Sequence, residues 1–278
     1  MKTKDVQLRW KNEWGMPGAS GSPLTIPVNT NEKENKMKMK HIIKFVVVAM
    51  LCGYGSAFAA NWDNGGVGDS WMNPTNWAGD VLPAGQNVWM DNSDTAVLYA
   101  GDTDTIGMFF PGGLGDVDLT VMGTLNMTGR MRIAEVAGNT GTVTVDGGIL
   151  NVGDHLYVGA HGTGHLELKN GATITTGDTY GFQITAAWGS GTGSVVDLYD
   201  GTITTDMFSM KAGSFLNVGD GSIIIAGDEK SKIDGYVASD LIVAMDVSET
   251  IDVSFADGFT TIQAIPEPAT LGLIAAFG

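Results

Sequence analysis

The feature that most constrains the fold of this chain is a recurring pair of apolar residues separated by one position. Five such pairs follow one another at spacings of 24, 23, 30 and 20 residues. Alternation with a period of two points one side chain inward and the next outward, so each pair indicates a short strand. The pairs are Leu119/Val121, Val143/Val145, Leu166/Leu168, Val196/Leu198 and Leu216/Val218.

A turn that contains glycine follows every pair, and a second alternating run follows every turn. Glycine and asparagine adopt positive φ readily, which permits a sharp corner between two strands. The turns are Gly123, Gly147-Gly148, Asn170-Gly171, Asp200-Gly201 and Asp220-Gly221. The second runs are Leu125/Met127, Leu150/Val152, Ala172/Ile174, Thr202/Thr204 or Ile203, and Ile223/Ile225. A third run is visible as Met131/Ile133, Leu156/Val158 and Phe182/Ile184.

Three short strands in each repeat form one coil, and a coil cannot bury its inner apolar face alone. Stacked coils can, because each strand pairs with its equivalents above and below. We therefore expect an all-β fold, a right-handed parallel β-helix of five or six coils with almost no helix. The alternative is an antiparallel β-sandwich, because Asx-Gly also marks hairpins. A repeat length near 24 favours the solenoid, since two-residue hairpins would give paired runs at shorter intervals.

One coil also carries a family resemblance. The run GTVTVDGGILNVGDHLYVGAHG over residues 141–162 resembles the repeats of autotransporter-passenger-like surface proteins. The resemblance implies a β-helix on the cell surface. No membrane β-barrel translocator follows the repeats, so autotransport itself is not expected.

Residues 37–59 have the three parts of a secretory signal peptide. A basic region precedes an apolar run over residues 45–51, which is too short to span a bilayer comfortably. Ala57 and Ala59 form a small-x-small site, so we expect cleavage after Ala59. Residues 1–36 show neither periodicity nor a targeting pattern, and we interpret them as a non-native upstream extension, with a long N-terminal region of the signal peptide as the alternative. The basic residues of the signal are Lys38, Lys40, His41 and Lys44.

The balance of charged residues also changes at the expected cleavage site after Ala59. Of 15 Lys and Arg and 31 Asp and Glu, residues 60–278 keep six basic and 27 acidic residues, a formal charge of −21. So acidic a surface repels phosphate backbones and anionic membranes, and we expect no nucleic-acid partner. The one cysteine, Cys52, lies in the segment to be removed. A disulfide scaffold, a thiolate metal site and a cysteine nucleophile are therefore excluded from the mature chain.

Residues 60–92 are rich in tryptophan and glycine, with Trp62, Trp71 and Trp77 spaced through Gly and Asn turns. This segment is similar to the one that opens many secreted repeat proteins of planctomycete-type bacteria, ahead of the repeat domain at 93–264. One hypothesis is a cap that covers the open end of the solenoid. The other is a platform on which the three indoles contact an extracellular polysaccharide. Its place at the start of the domain favours the cap.

Residues 265–278 begin with IPEPATLGLI, which matches the start of the PEP-CTERM sorting signal. The resemblance implies that Pro266, Glu267 and Pro268 are recognised by an exosortase, a membrane enzyme, and that the apolar run anchors the protein transiently. Only ten residues follow Pro268, half of what a membrane span requires, and no basic cluster closes the run. We interpret the segment as a truncated signal and expect the natural reading frame to continue.

Chemistry-bearing residues are few in the repeats. His155, His161 and His165, with Asp154 and Glu167, could approach one another on stacked coils, although surface histidines are the more ordinary interpretation. Asp178, Asp200, Asp220 and Asp228 mark turns and suggest adventitious Ca²⁺ at most. Arg130, Arg132, Lys169 and Lys211 could line one face of a polysaccharide lyase or hydrolase. No catalytic motif accompanies them, so we expect no enzyme, no cofactor and no dedicated metal site.

These features together predict an exported structural or adhesive protein of the cell surface or extracellular matrix of a Gram-negative-type bacterium. Its partners would be the export machinery and an exosortase during maturation. The alternative is a carbohydrate-binding or polysaccharide-degrading β-helix protein.

The signal peptide gives a first testable prediction. Mass spectrometry of the exported protein is expected to find the N-terminus at Ala60 or within two residues of it. Peptides from residues 1–36 in exported material would contradict both the cleavage site and the upstream-extension interpretation.

Overall fold

A computed structural model describes residues 59–267 except 91–93, 114, 178–179 and 186–188. The chain divides into residues 1–56 and 57–278, and the described residues belong to the second unit. Strands in this unit pair almost entirely in parallel, and the chain visits three sheets in turn before returning to the first. This arrangement is the β-solenoid that the repeats predict, and the antiparallel sandwich is wrong.

Each regular coil contributes one strand to each of three sheets, and the strands are numbered in chain order. Sheet 1 contains β3 (Asp94–Leu98), β6 (Val117–Val121), β9 (Thr140–Asp146), β12 (Thr163–Lys169), β15 (Val195–Leu198), β18 (Phe215–Val218) and β20 (Ile242–Ala244). Sheet 2 contains β4 (Thr103–Ile106), β7 (Thr124–Met127), β10 (Ile149–Val152), β13 (Thr173–Thr176), β16 (Thr202–Thr205), β19 (Ser222–Ala226), β22 (Phe259–Pro266) and β21 (Glu249–Ala256). Sheet 3 contains β1 (Ala60–Asn61), β2 (Val88–Met90), β5 (Phe109–Pro111), β8 (Met131–Ile133), β11 (Leu156–Val158), β14 (Phe182–Ile184) and β17 (Phe208–Met210).

The solenoid makes about seven turns, more than the five or six expected, because strands at both ends lack the repeat signature. Sheets 1 and 3 have seven strands each and sheet 2 has eight. At the N-terminal end, β1 and β2 pair in parallel within sheet 3. At the C-terminal end, β20 extends sheet 1 beyond β18.

The core consists of columns of apolar side chains in register from coil to coil. Leu119 pairs with Val143, Val143 with Leu166, Leu166 with Val196 and Val196 with Leu216. All five side chains are buried, with at most 1% of their surface exposed. The eight inward residues expected in the best repeats are confirmed as buried: Val143, Val145, Leu150, Val152, Leu156, Val158, Leu166 and Leu168.

Corners repeat as regularly as strands do. The residue that follows the sheet 3 strand has positive φ in four successive coils, at Gly112, Ala134, Gly159 and Thr185. Ala134 and Thr185 adopt this conformation although a side chain makes it costly, because the stacked coils fix the path of the backbone. The corner between sheets 1 and 2 also has positive φ in several coils, at Gly147 and Gly201 for example. At Gly123 the constraint is close approach, since a Cβ there would lie 2.4 Å from the Asp102 carbonyl oxygen.

Both ends of the stack are covered. At the N-terminal end, Trp71 N–H donates to the Val97 carbonyl and Val97 N–H donates to the Asp69 carbonyl, which pairs the edge of β3. At the C-terminal end, helix α1 (Lys230–Val237) occupies the place of a sheet 3 strand, and Tyr236 packs edge-on against Phe208. An unpaired strand edge can pair with another chain, and these contacts cover such edges at the ends of the solenoid.

The last two strands form an antiparallel hairpin, which the repeat pattern did not predict. β21 and β22 are joined by Asp257 and Gly258, both with positive φ, and β22 pairs antiparallel with β19. Two positive φ values in a two-residue loop define a type I′ turn. Within the described ranges, no helix is both long and apolar enough for a membrane span.

Two neighbouring residues on β10, Ile149 and Leu150, test whether side chains alternate between the surface and the core. Leu150 is fully buried and Ile149 is 42% exposed. We expect Leu150→Ala to lower the free energy of unfolding by about 2–5 kcal/mol, because it leaves a cavity in the core. Ile149→Ala, the matched control, should cost less than about 1 kcal/mol. Urea unfolding of both variants gives the comparison, and equal losses would contradict the inward and outward assignments.

Candidate functional site

The three tryptophans of residues 60–92 lie inside the core. Trp62 is 2% exposed, and Trp71 and Trp77 are fully buried. Trp71 and Trp77 meet edge to face at 4.7 Å between ring centroids, and the indole N–H of Trp71 donates to Asp104 Oδ2 at 2.7 Å. A sugar stacks on an exposed ring face, and none of these three rings offers one.

Part of the expected sorting signal lies within the described residues. Pro266 ends β22, and both Pro266 and Glu267 are exposed. Glu267 N–H donates to the Ser248 carbonyl at 2.9 Å, which holds Glu267 at the end of the terminal hairpin. Pro268 lies outside the described residues, as does Ala57 of the cleavage site, while Ala59 is exposed directly before β1.

The three histidines do not form one cluster. His155 precedes β11 of sheet 3, His161 lies between β11 and β12, and His165 belongs to β12 of sheet 1. His161 Nδ1 is 3.3 Å from Ser190 Oγ. The approach of the three imidazoles, which the sequence allowed but did not favour, is not found: the one candidate ligand group in the described residues contains only His165 of the three.

The four basic residues considered for a lyase do not all lie on one face, although Arg130 and Arg132 share the outer face of sheet 3. Arg132 lies on β8 of sheet 3, whereas Lys169 lies on β12 of sheet 1 and pairs with Asp146 at 3.8 Å. Lys211 donates to the Gly189 carbonyl at 2.9 Å. They do not line one face, since β8 and β12 belong to different sheets.

Two of the three described turn aspartates, Asp200 and Asp228, accept a hydrogen bond from a backbone N–H through their side chains. Asp200 accepts from Gly171 N–H at 2.8 Å, and Asp228 accepts weakly from Lys230 N–H at 3.3 Å. Asp220 N–H donates to the Tyr199 carbonyl. Asp178 lies outside the described residues. Each of the three described aspartates stands at a separate turn, so the structure gives no shared calcium site among them.

The outer face of sheet 3 carries rings and guanidinium groups in contact. Trp89 stacks on Phe110 with centroids 4.4 Å apart, and the Arg130 guanidinium lies 6.0 Å from the Phe110 centroid. Arg132 lies 5.6 Å from the Tyr157 centroid and pairs with Glu135 at 2.8 Å. Cation–π contacts of this kind stabilise a face by about 0.5–1 kcal/mol each where exposed.

His155 belongs to this face and is 3% exposed. Its ring stacks on Tyr157 at 4.1 Å between centroids. Burial lowers the pKa of His155 below its usual range, and the positive charges of Arg132 and Arg130 lower it further. Asp154, whose Oδ1 is 3.0 Å from His155 Nδ1, opposes the shift without cancelling it.

A different set of groups meets on the outer face of sheet 1. His165 and Glu167 point outward from β12 on either side of the inward Leu166, and Asp197 lies opposite Glu167 on β15. His165 Nε2 is 2.7 Å from Asp197 Oδ2 and 3.7 Å from Glu167 Oε1. We call His165, Glu167 and Asp197 the imidazole–carboxylate cluster. In the described part of the chain, it is the one group of three His, Cys, Asp or Glu side chains whose potential ligand atoms all lie within 4.8 Å of one another.

Flanking residues hold both carboxylates of the cluster in place. Asn217 Nδ2 donates to Asp197 Oδ1 at 2.6 Å, and Thr144 Oγ1 donates to Glu167 Oε2 at 3.4 Å. The negative charge of the cluster also acts on Tyr199. The pKa of Tyr199 is raised above its usual range by the charge of Asp197, by desolvation and by the charge of Glu167.

Sequence reasoning found His165 and Glu167 but missed Asp197. The two strands differ by one coil, and this coil is 30 residues long where the preceding one is 23. The signal that could have found it is register: Leu166/Leu168 and Val196/Leu198 are equivalent pairs, so Glu167 and Asp197 occupy the same position between them.

Comparison of the chain with models of protein families, with curated proteins and with solved structures gives no match.

The environment of His155 predicts a pH dependence of stability. Its pKa is lower in the folded chain than the value of about 6.5 in an unfolded chain, so the unfolded chain binds the proton first. The stabilisation is therefore present above about pH 6.5 and is lost as the pH falls below it.

We expect His155→Phe, which keeps a ring against Tyr157, to reduce the loss of stability between pH 7 and pH 5. Urea midpoints at several pH values measure this slope. His161→Gln is the control and should keep the native slope. A native slope in His155→Phe as well would show that His155 does not cause the dependence.

Proposed function

We propose that this chain is an exported protein of the bacterial cell surface or extracellular matrix, with a structural or adhesive role. The observation that carries the proposal is the order of its parts. A signal-peptide pattern precedes the solenoid, and the Pro-Glu-Pro motif begins at the last residue of its last strand.

The position of the motif supports a role in sorting. Proline fixes φ, and a residue before proline avoids the helical region, so Pro266-Glu267-Pro268 favours an extended segment. Pro266 and Glu267 are exposed at the end of the hairpin that closes the solenoid. A processing enzyme could reach them without unfolding the core.

The solenoid itself supports a structural or adhesive role. Its core is continuous from Ala60 to Ile262, and its outer faces present short, regularly spaced rows of polar side chains. The three tryptophans considered for sugar binding are buried in that core, so their rings give no support to the carbohydrate-binding alternative.

Substitution of Glu267 tests the proposal in a bacterium that carries an exosortase. With the natural open reading frame expressed, we expect Glu267→Ala to reduce the amount of protein at the surface at least tenfold. Surface protein is measured by protease accessibility on intact cells, and total protein by immunoblot.

Glu249→Ala provides a matched control. Glu249 lies opposite Pro266 in the hairpin, so its loss removes the same charge at the same end of the fold. This variant should reach the surface like the native protein. Normal display of Glu267→Ala, or retention of the native protein in the cytoplasm, would contradict the proposal.

A further inference from the structure

We propose that the imidazole–carboxylate cluster of His165, Glu167 and Asp197 binds one divalent transition-metal ion, for which Zn²⁺ is the probe. The site would bind a metal through one nitrogen and two oxygen ligands on the outer face of the solenoid. It is independent of the proposed role in surface sorting, because it rests only on sheet 1.

Geometry is the first argument. Two ligand atoms that bind one Zn²⁺ ion at 2.0–2.1 Å and a tetrahedral angle are about 3.3 Å apart. The distances from His165 Nε2, 2.7 Å to Asp197 Oδ2 and 3.7 Å to Glu167 Oε1, lie on either side of this value. One ligand atom from each of the three residues lies within 4.8 Å of the others. Small side-chain rotations therefore suffice to surround an ion.

Orientation of the carboxylates is the second argument. Each carboxylate has one oxygen held by a neutral neighbour, Asn217 for Asp197 and Thr144 for Glu167. The other oxygen of each turns toward the imidazole. Supporting hydrogen bonds of this kind fix ligand direction in metal sites, and their loss typically costs 10–100-fold in affinity.

Burial and charge are the third argument. The three side chains are 35%, 25% and 16% exposed, so an ion could enter while remaining partly shielded from solvent. Two carboxylates face one imidazole, and the nearby Lys169 pairs with Asp146 on the neighbouring strand. A divalent cation would balance both negative charges.

The donor set selects the class of ion. Calcium and magnesium take oxygen ligands, whereas imidazole suits zinc and other first-row transition metals. Three protein ligands leave a fourth position, which water or an external ligand could take. Because only neutral imidazole binds a metal, protons compete and affinity falls as the pH is lowered.

Calorimetric titration of the full chain with Zn²⁺ tests the proposal. Cys52 and His41 can also bind zinc, so the readout is the difference between native and variant chains. We expect one binding event to be lost, or weakened at least tenfold, in His165→Gln and in Asp197→Asn. Ca²⁺ at the same concentrations should not displace Zn²⁺ from this site.

Two further variants separate a built site from diffuse attraction. Asn217→Ala changes no charge and should still weaken Zn²⁺ binding about tenfold, because Asp197 loses its support. Asp118→Asn removes a charge from the same face two coils away and should leave binding unchanged. Circular dichroism verifies that each variant is folded.

Three results would overturn the proposal. The first is the same Zn²⁺ titration for the native chain and for His165→Gln. The second is an equal effect of Asp118→Asn and Asp197→Asn. The third is unchanged binding in Asn217→Ala. In each case the 2.7 Å contact between His165 and Asp197 would be an ordinary surface hydrogen bond.

Discussion

In-register stacking of coils is the constraint on which the rest of this structure depends. No coil buries its own inner face, so each inward side chain is covered by its equivalents in the coils above and below. The column from Leu119 through Val143 and Leu166 shows the consequence, since each pairs with the next and each is buried. Corners must then repeat as well, and the demand is strong enough to hold Ala134 and Thr185 at positive φ.

Stacking also leaves two open ends, which the repeat sequence cannot cover by itself. An open end exposes a column and three strand edges, so the ends need other sequence. Trp71 performs both tasks at the N-terminal end, because its backbone pairs with β3 while its indole lies in the core and bonds Asp104. The C-terminal end uses a helix and a hairpin instead, and neither continues the repeat pattern.

The sequence predicts the repeated coils, which follow one pattern, better than the two ends, which do not. Apolar pairs fixed the inward residues of β9 to β12, because one alternation fits only one face. The second run of the fourth repeat stayed ambiguous between Ile203 and its threonine neighbours. The structure turns Ile203 and Thr205 inward, and the Thr205 hydroxyl is satisfied by Thr176 and by the Met207 carbonyl. Threonine suits either face of a sheet, so composition alone could not decide.

What the sequence hid was proximity across coils. A coil can lengthen between its strands without disturbing the register, so Asp197 lies opposite Glu167 although the two are 30 positions apart in the sequence. Two histidines ten residues apart consequently occupy opposite surroundings. His155 is buried among arginines on sheet 3, and its pKa is lowered, whereas His165 lies between two carboxylates on sheet 1. Because inward residues alone maintain the stack, each outer face is free to carry its own chemistry, and function in this fold is expected to reside there.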